Sequence, residues 1–188
     1  RLDKMVLKMG YPDKPEDVYD LLHVNPDKSL IDNINAMQLV ELQYNFDKLT
    51  KPVDRTVWNM PGHLVNASYD PSKNDITFPA AILQAPFYSL KQSASENLGG
   101  IGAVIAHEIS HGFDNNGAQF DELGNMVNWW QKADYAHFNK LTEAMIQEFD
   151  GLETEAGKVN GKLVVSENIA DAGGLAAALD TAKREPDV

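Results

Sequence analysis

The sequence predicts an α+β fold, with a central helix packed on a small, largely antiparallel sheet and further helices around it. Three observations predict it. Apolar residues recur every three or four positions in several stretches, as on helices with one buried face. Between residues 52 and 78 that rhythm gives way to short runs broken by turn residues, the signature of strands. Residues 94–113 are rich in Gly and Ala, which lets a helix lie close to its neighbours in a core.

Pro15-Glu16 opens a short helix that runs to Leu22. Ser29 caps a second helix, whose inner stripe is Ile31, Ile34, Leu39, Leu42 and Phe46. The first fifty residues therefore read as helical. From Pro52 to Phe78, Tyr69, Ile76 and Phe78 flank the turn Asp70-Pro71-Ser72-Lys73-Asn74-Asp75, which predicts an antiparallel hairpin. The central helix spans Ala94 to Phe113 and ends at Asp114-Asn115-Asn116-Gly117. Asn128 caps a further helix over about Trp130 to Phe149, with Phe113, Phe120, Trp129 and Trp130 packing in the core. Asn160-Gly161 signals a tight hairpin turn. The last helix starts near Ser166, with Ile169, Ala172, Leu175, Ala176 and Leu179 as its apolar set. The expected division is a helical segment, 1–50, bordering the remainder of the chain, 51–188.

Composition narrows the function. The 188 residues carry 16 Lys+Arg against 28 Asp+Glu, a net charge of −12. Nucleic-acid binders need a basic stripe, so this chemistry is excluded as a partner, and anionic membranes are disfavoured too. There is no Cys, so any metal must be held by His, Asp or Glu. A cysteine-free chain also favours a reducing cytoplasm over the cell surface. No apolar run reaches the ~20 residues a spanning helix needs. The chain begins Arg1-Leu2-Asp3-Lys4, without an initiator Met or a signal peptide, and ends just after a helical pattern. Truncation at both ends is expected, with the remainder of a parent polypeptide beyond them.

The sharpest feature is His107-Glu108-Ile109-Ser110-His111, an H-E-x-x-H sequence. On a helix, positions four apart share one face, so both imidazoles reach one metal ion. Glu108 lies ~100° around the helix, where it meets water near the metal without binding it. A catalytic zinc acidifies water, and a neighbouring carboxylate then accepts the proton. Two histidines need a third ligand. Position 117 is Gly, so a third His at metzincin spacing is absent and the ligand should be a carboxylate. Glu167 is the best candidate by position, with Asp171 four residues on along the same face. A solvated helix face carries the same pattern, so spacing alone leaves other acids open.

Three stretches carry a family resemblance: Val65-Asn66-Ala67-Ser68-Tyr69, Gly102 through Asp114, and Glu167-Asn168-Ile169-Ala170-Asp171-Ala172-Gly173-Gly174. In that order the chain resembles the neprilysin-like zinc endopeptidases, the M13 family, on its bacterial oligopeptidase branch. The resemblance implies a zincin-like (gluzincin) catalytic domain that cuts oligopeptide substrates. It implies one Zn²⁺ per chain on His107, His111 and Glu167, with Glu108 as general base. It further implies that Asp171 and Asp114 hold the ligand histidines, which places Asp171 among the catalytic residues as well. Asn66 and Ala67 would lie on an edge strand that pairs with the substrate backbone.

Each secondary role has a plainer counterpart. Asn66-Ala67-Ser68 is also an N-glycosylation acceptor pattern, and Asp114 also reads as a helix-end residue. His23, His63 and His137 have no partners at ligand spacing and read as structural or surface residues. The family's His and Arg beyond the glutamate helix, which steady the oxyanion, have no candidate after Leu175. The alternative function is therefore a fragment that binds zinc and peptide without turnover of its own.

Overall fold

The computed structural model describes residues 1–185, so Pro186-Asp187-Val188 at the end of the chain lie outside the described residues. Two compact units result: Arg1–Tyr11 together with the chain from Met60 onward, and Pro12–Asn59.

The Pro12–Asn59 unit holds a 3₁₀ turn at Asp17–Leu21 and helix α1, Leu30–Lys48. Ser29 caps α1 as expected, its Oγ accepting the Asp32 N–H at 3.1 Å. Buried Asn33 ties the incoming loop to the first turn, accepting from Asn25 N at 2.8 Å and donating to Asn25 O at 3.0 Å. The expected inner stripe is not covered: Ile31, Leu39, Leu42 and Phe46 are all more than half exposed. This unit has only one long helix, so no opposing layer of its own exists to bury that face.

The larger unit is built on a three-stranded sheet of β1 (Val6–Gly10), β2 (Ser68–Asp70) and β3 (Asp75–Pro79), in the order β1-β3-β2. The hairpin β2–β3 is antiparallel, with Ser68 opposite Thr77, as the turn chemistry predicts. Asp70 builds the turn, its Oδ1 accepting from Ser72 N at 2.9 Å. Strand β1 pairs with β3 in parallel, Leu7 beside Ile76 and Met9 beside Phe78. The sheet is therefore mixed rather than largely antiparallel, and the helical reading of the first fifty residues fails at β1. The reason is local. β1 inverts the usual alternation, exposing Leu7 and Met9 while burying Lys8. A five-residue strand with its polar side chain inward carries no apolar-in pattern to read.

Lys8 is buried because Asp75 is. Lys8 Nζ donates to Asp75 Oδ2 at 2.6 Å, with both side chains almost wholly withdrawn from solvent. Burial pushes the Asp75 carboxyl up, and the Lys8 ammonium opposes that rise. On the other face of β3, Ile76 and Phe78 join Ala67, Ile82 and Ile101 in the main apolar core.

The central helix runs through three linked pieces: α2 (Ala94–Asn97), a π turn (Leu98–Gly102) and α3 (Ala103–His111). Ser93 and Glu96 close a capping box at its start. Helix α4 covers Lys132–Phe149, and Asp134 Oδ2 accepts the Gln131 N–H at 2.9 Å at its start. Asn128 does not cap it, but accepts the Tyr135 hydroxyl at 2.8 Å. Trp130 packs on Phe138 and Tyr135, while Trp129 is 45% exposed, its Nε1–H bonded to Phe120 O. These aromatics form a satellite cluster rather than part of the main core.

The small hairpin is β4 (Glu153–Thr154) with β5 (Gly157–Lys158), not a turn at Asn160-Gly161. Asn160 instead caps α5 (Gly161–Ala182), its Oδ1 accepting from Leu163 N at 3.0 Å. Gly161 sits so close to α4 that a Cβ there would lie 2.2 Å from Ile146 O. The dipeptide thus serves a helix start and a close contact. The buried face of α5 also differs from expectation: Val165, Ala170, Gly174 and Ala178 point inward, while Leu175 and Leu179 are more than half exposed.

Replacing Lys8 by Met leaves the Asp75 carboxyl buried without its cation. Urea unfolding should show a loss of about 3–5 kcal/mol, the usual effect of breaking a buried pair from one side.

Candidate metal centre

Helices α3 and α5 lie against each other through small residues. A Cβ on Gly174 would sit 2.8 Å from His107 N and 2.9 Å from Ala103 O, and one on Gly173 would sit 2.5 Å from Ser110 Oγ. Ala170 and Ala178 are buried in the same stripe. This close approach brings Glu167 and Asp171 of α5 over the H-E-x-x-H face of α3.

The two imidazoles meet edge to face, with Nε2 of His107 and Nε2 of His111 3.0 Å apart. Each ring is held from behind by a carboxylate. His107 Nδ1 is 2.8 Å from Asp171 Oδ1, and His111 Nδ1 is 2.8 Å from Asp114 Oδ2. A carboxylate accepts only, so each Nδ1 carries a proton, and in the neutral imidazole Nε2 then keeps its lone pair. Glu167 Oε2 lies 3.4 Å and 3.6 Å from these nitrogens. Three lone-pair atoms facing one another repel unless a proton or a cation lies among them.

The donor set fits zinc. The separations of 3.0, 3.4 and 3.6 Å compare with edges of about 3.3–3.4 Å for a tetrahedron with ~2.0–2.1 Å bonds. His107, His111 and Glu167 are the one such cluster of metal-ligating groups among the described residues.

Asp114 is 2% exposed and fully engaged: its Oδ1 accepts from Asn116 N and Gly117 N, both at 2.7 Å. It therefore shapes the chain after α3 as well as holding His111. Burial lowers the His111 imidazole, but the hydrogen bond it donates to Asp114 and the charges of Glu167, Asp114 and Glu108 outweigh it and leave the pKa raised. Glu108 is 6% exposed, and burial pushes its carboxyl up while both histidines oppose the shift.

Two clefts open on these residues. One, of about 460 Å³, runs past Ala67, Tyr69, Glu108, His111 and Glu167. The second, of about 560 Å³, is walled by Val65, Ile82, Phe87, Val104 and Leu175 and shares His107 and Glu108 with the first. Asn66 and Ala67 line both. They precede β2 rather than forming part of it, because the Asn66 N–H turns back to Leu64 O at 3.0 Å. β2 itself is an edge strand, as expected of its neighbourhood. The structure thus gathers every sequence-predicted site residue around one centre. The apolar wall went unread: its members are scattered from Val65 to Leu175 with no local pattern. The Gly173-Gly174 pair did carry a signal, since paired glycines beside Ala170 mark a close helix contact.

A helix pair that presents two histidines and a glutamate to one point, each histidine backed by a carboxylate, forms a candidate metal centre on a mixed helix-and-sheet fold. Residues 66–187 match the model of peptidase family M13, and the chain belongs to that family. It is 57% identical over 185 residues to the neutral endopeptidase of Lactobacillus helveticus, covering 98% of this chain and 29% of that protein. The crystal structure of PEPO from Lactobacillus rhamnosis superposes with a TM-score of 0.92 at 54% identity, over 99% of this chain and 30% of that one. The zinc metalloprotease Zmp1 of Mycobacterium tuberculosis, solved with an inhibitor, gives 0.88 at 41% identity, over 97% and 28%. The chain thus spans about 30% of the length of these relatives.

Gly174→Ala should destabilise the protein by about 1–3 kcal/mol through overpacking against backbone, although Ala is the better helix former by about 1 kcal/mol. Chemical denaturation reads the sign. A second expectation concerns Tyr69, whose phenol burial pushes up to about 12, above its ordinary value of 10.0. The folded state then keeps this proton after the unfolded chain has released it. The contribution is whole below the unfolded pKa and is lost as pH rises through about 12. Denaturation midpoints measured above pH 10 should fall less steeply for Tyr69→Phe than for the parent.

Proposed function

We propose that this chain forms the metal-binding core of a zinc metalloendopeptidase of the gluzincin type, acting on oligopeptides. One observation carries the reading: two Nε2 lone pairs and a carboxylate oxygen converge within 3.6 Å beside a buried glutamate. His107, His111 and Glu167 would hold a single Zn²⁺. When bound, zinc supplies Lewis-acid polarisation of a carbonyl and lowers the pKa of water to about 7.

The protein groups divide the remaining work. Asp171 and Asp114 hold protons at the Nδ1 atoms, which fixes both imidazoles as Nε2 ligands and raises their basicity. Glu108 takes a proton from the attacking water onto its carboxylate and returns it to the departing amine nitrogen. Its burial favours that exchange, because a carboxyl with a raised pKa is nearer the working pH. The main chain at Asn66 and Ala67, leading into the edge strand, offers hydrogen bonds to an extended peptide. Val104, Phe87 and their neighbours receive an apolar side chain next to the scissile bond. Relatives named neutral endopeptidase and zinc metalloprotease support this assignment.

A second reading, zinc and peptide binding without turnover, is favoured by the exposure of Glu167 and Asp171, 62% and 75% at their side chains. One experiment separates the two. Zinc content and cleavage of an internally quenched peptide are measured on the 188-residue chain. Hydrolysis that chelator abolishes, and that Glu108→Gln lowers by about 10²–10⁴ while zinc stays bound, supports the enzyme. Zinc with no hydrolysis supports the binding fragment, and undiminished zinc in His107→Ala and Glu167→Ala rejects the ligand set. Asp171→Asn should weaken zinc by about 10–100-fold in a competitive chelator titration.

A further inference from the structure

Part of the apolar cleft is supplied by a loop rather than by a regular element. Phe87 sits in the loop between the 3₁₀ turn Ala80–Ile82 and α2, yet it packs on the main core and lines the cleft beside His107 and Glu108. Something must hold that loop in place.

Bonds within the loop do part of this, including Phe87 N–H to Gln84 O at 2.9 Å, and three more contacts come from the start of the central helix. The Asn97 side chain grips Ser89 like a paired strand: its Oδ1 accepts from Ser89 N at 3.0 Å and its Nδ2 donates to Ser89 O at 2.9 Å. The π turn at Leu98–Gly102 frees the Ile101 N–H from the helix ladder, and that N–H donates to Phe87 O at 2.7 Å. Gly100 permits the contact, because a Cβ there would lie 2.3 Å from Phe87 O. Within the loop, Gln92 Nε2 donates to Pro86 O at 3.1 Å. A widened helical turn, a bare glycine and a two-pronged amide thus converge on one short loop.

We infer that Asn97, with Gly100 behind it, is a positioning residue that sets side-chain selectivity by fixing Phe87 as the wall of the apolar cleft. It touches no reacting atom and acts only through the loop. The inference rests on the proposed zinc peptidase reading, since selectivity has meaning only for a ligand anchored at that centre.

The probe is a pair of dipeptide hydroxamates, identical except for a benzyl or a methyl side chain, titrated calorimetrically into the zinc-loaded chain. The parent protein should prefer the benzyl compound by about tenfold or more. In Asn97→Ala and in Gly100→Ala that preference should fall to about a third or less, with zinc stoichiometry and affinity for the methyl compound retained. A general structural lesion would weaken both compounds alike, so the ratio isolates the wall. Asn97→Asp keeps the acceptor to Ser89 N but sets a carboxylate oxygen against Ser89 O, and should lower the ratio at least as far as Asn97→Ala. If Gly100→Ala does not fold, the two Asn97 variants carry the test. An unchanged ratio in folded Asn97→Ala overturns the inference and leaves the peptidase reading intact. Failure of both hydroxamates to bind the zinc-loaded parent overturns the peptidase reading, and the inference with it.

Discussion

The centre depends on how near α5 can come to α3. Two helices packed through ordinary side chains stand 8–10 Å apart, and small residues at the contact set the lower end. Gly174 removes the one atom that would strike the backbone of His107, and Gly173 does the same against Ser110. Ala170 and Ala178 continue the seam. Because that seam is thin, a carboxylate of ordinary length on α5 reaches the imidazoles of α3. The convergence of His107, His111 and Glu167 is thus a result of backbone proximity first and of side-chain choice second.

The sheet serves the same end from the other side. β3 sends Ile76 and Phe78 into the core where Ile101, Ile105 and Ile109 of the central helix pack, so one face of that helix is anchored. The adjoining faces are left to carry His107, Glu108 and His111. The hairpin that supplies Ile76 and Phe78 also presents Asn66, Ala67 and Tyr69 to the clefts.

Much of this was legible in the chain. H-E-x-x-H fixed the helix, the spacing of its histidines and the position of Glu108, because four residues make about one turn whatever the fold around them. Ser29 and the Asp70–Asp75 turn were readable for the same reason: capping and turn chemistry are local. What escaped was set by partners far along the chain. β1 escaped because Lys8 faces inward toward Asp75, a pairing that only the register of two distant strands creates. The buried face of α5 was misread because the helix turns its glycines and alanines inward and leaves Leu175 and Leu179 outside, against the hydropathy rule. Asn160-Gly161 fits a hairpin as well as a helix start, and the nearness of α4 decides between them.

The two halves of the cluster have different origins. His111 and Asp114 stand three positions apart at the end of one helix, and Asp114 is locked by the amides of Asn116 and Gly117. Glu167 and Asp171 ride together on another helix, one turn apart and largely open to solvent. A rigid shift of that helix would withdraw both acids in a single movement and leave the His111 arm standing. The cluster is therefore assembled from two separate helices, and its geometry depends on the seam between them rather than on any single side chain.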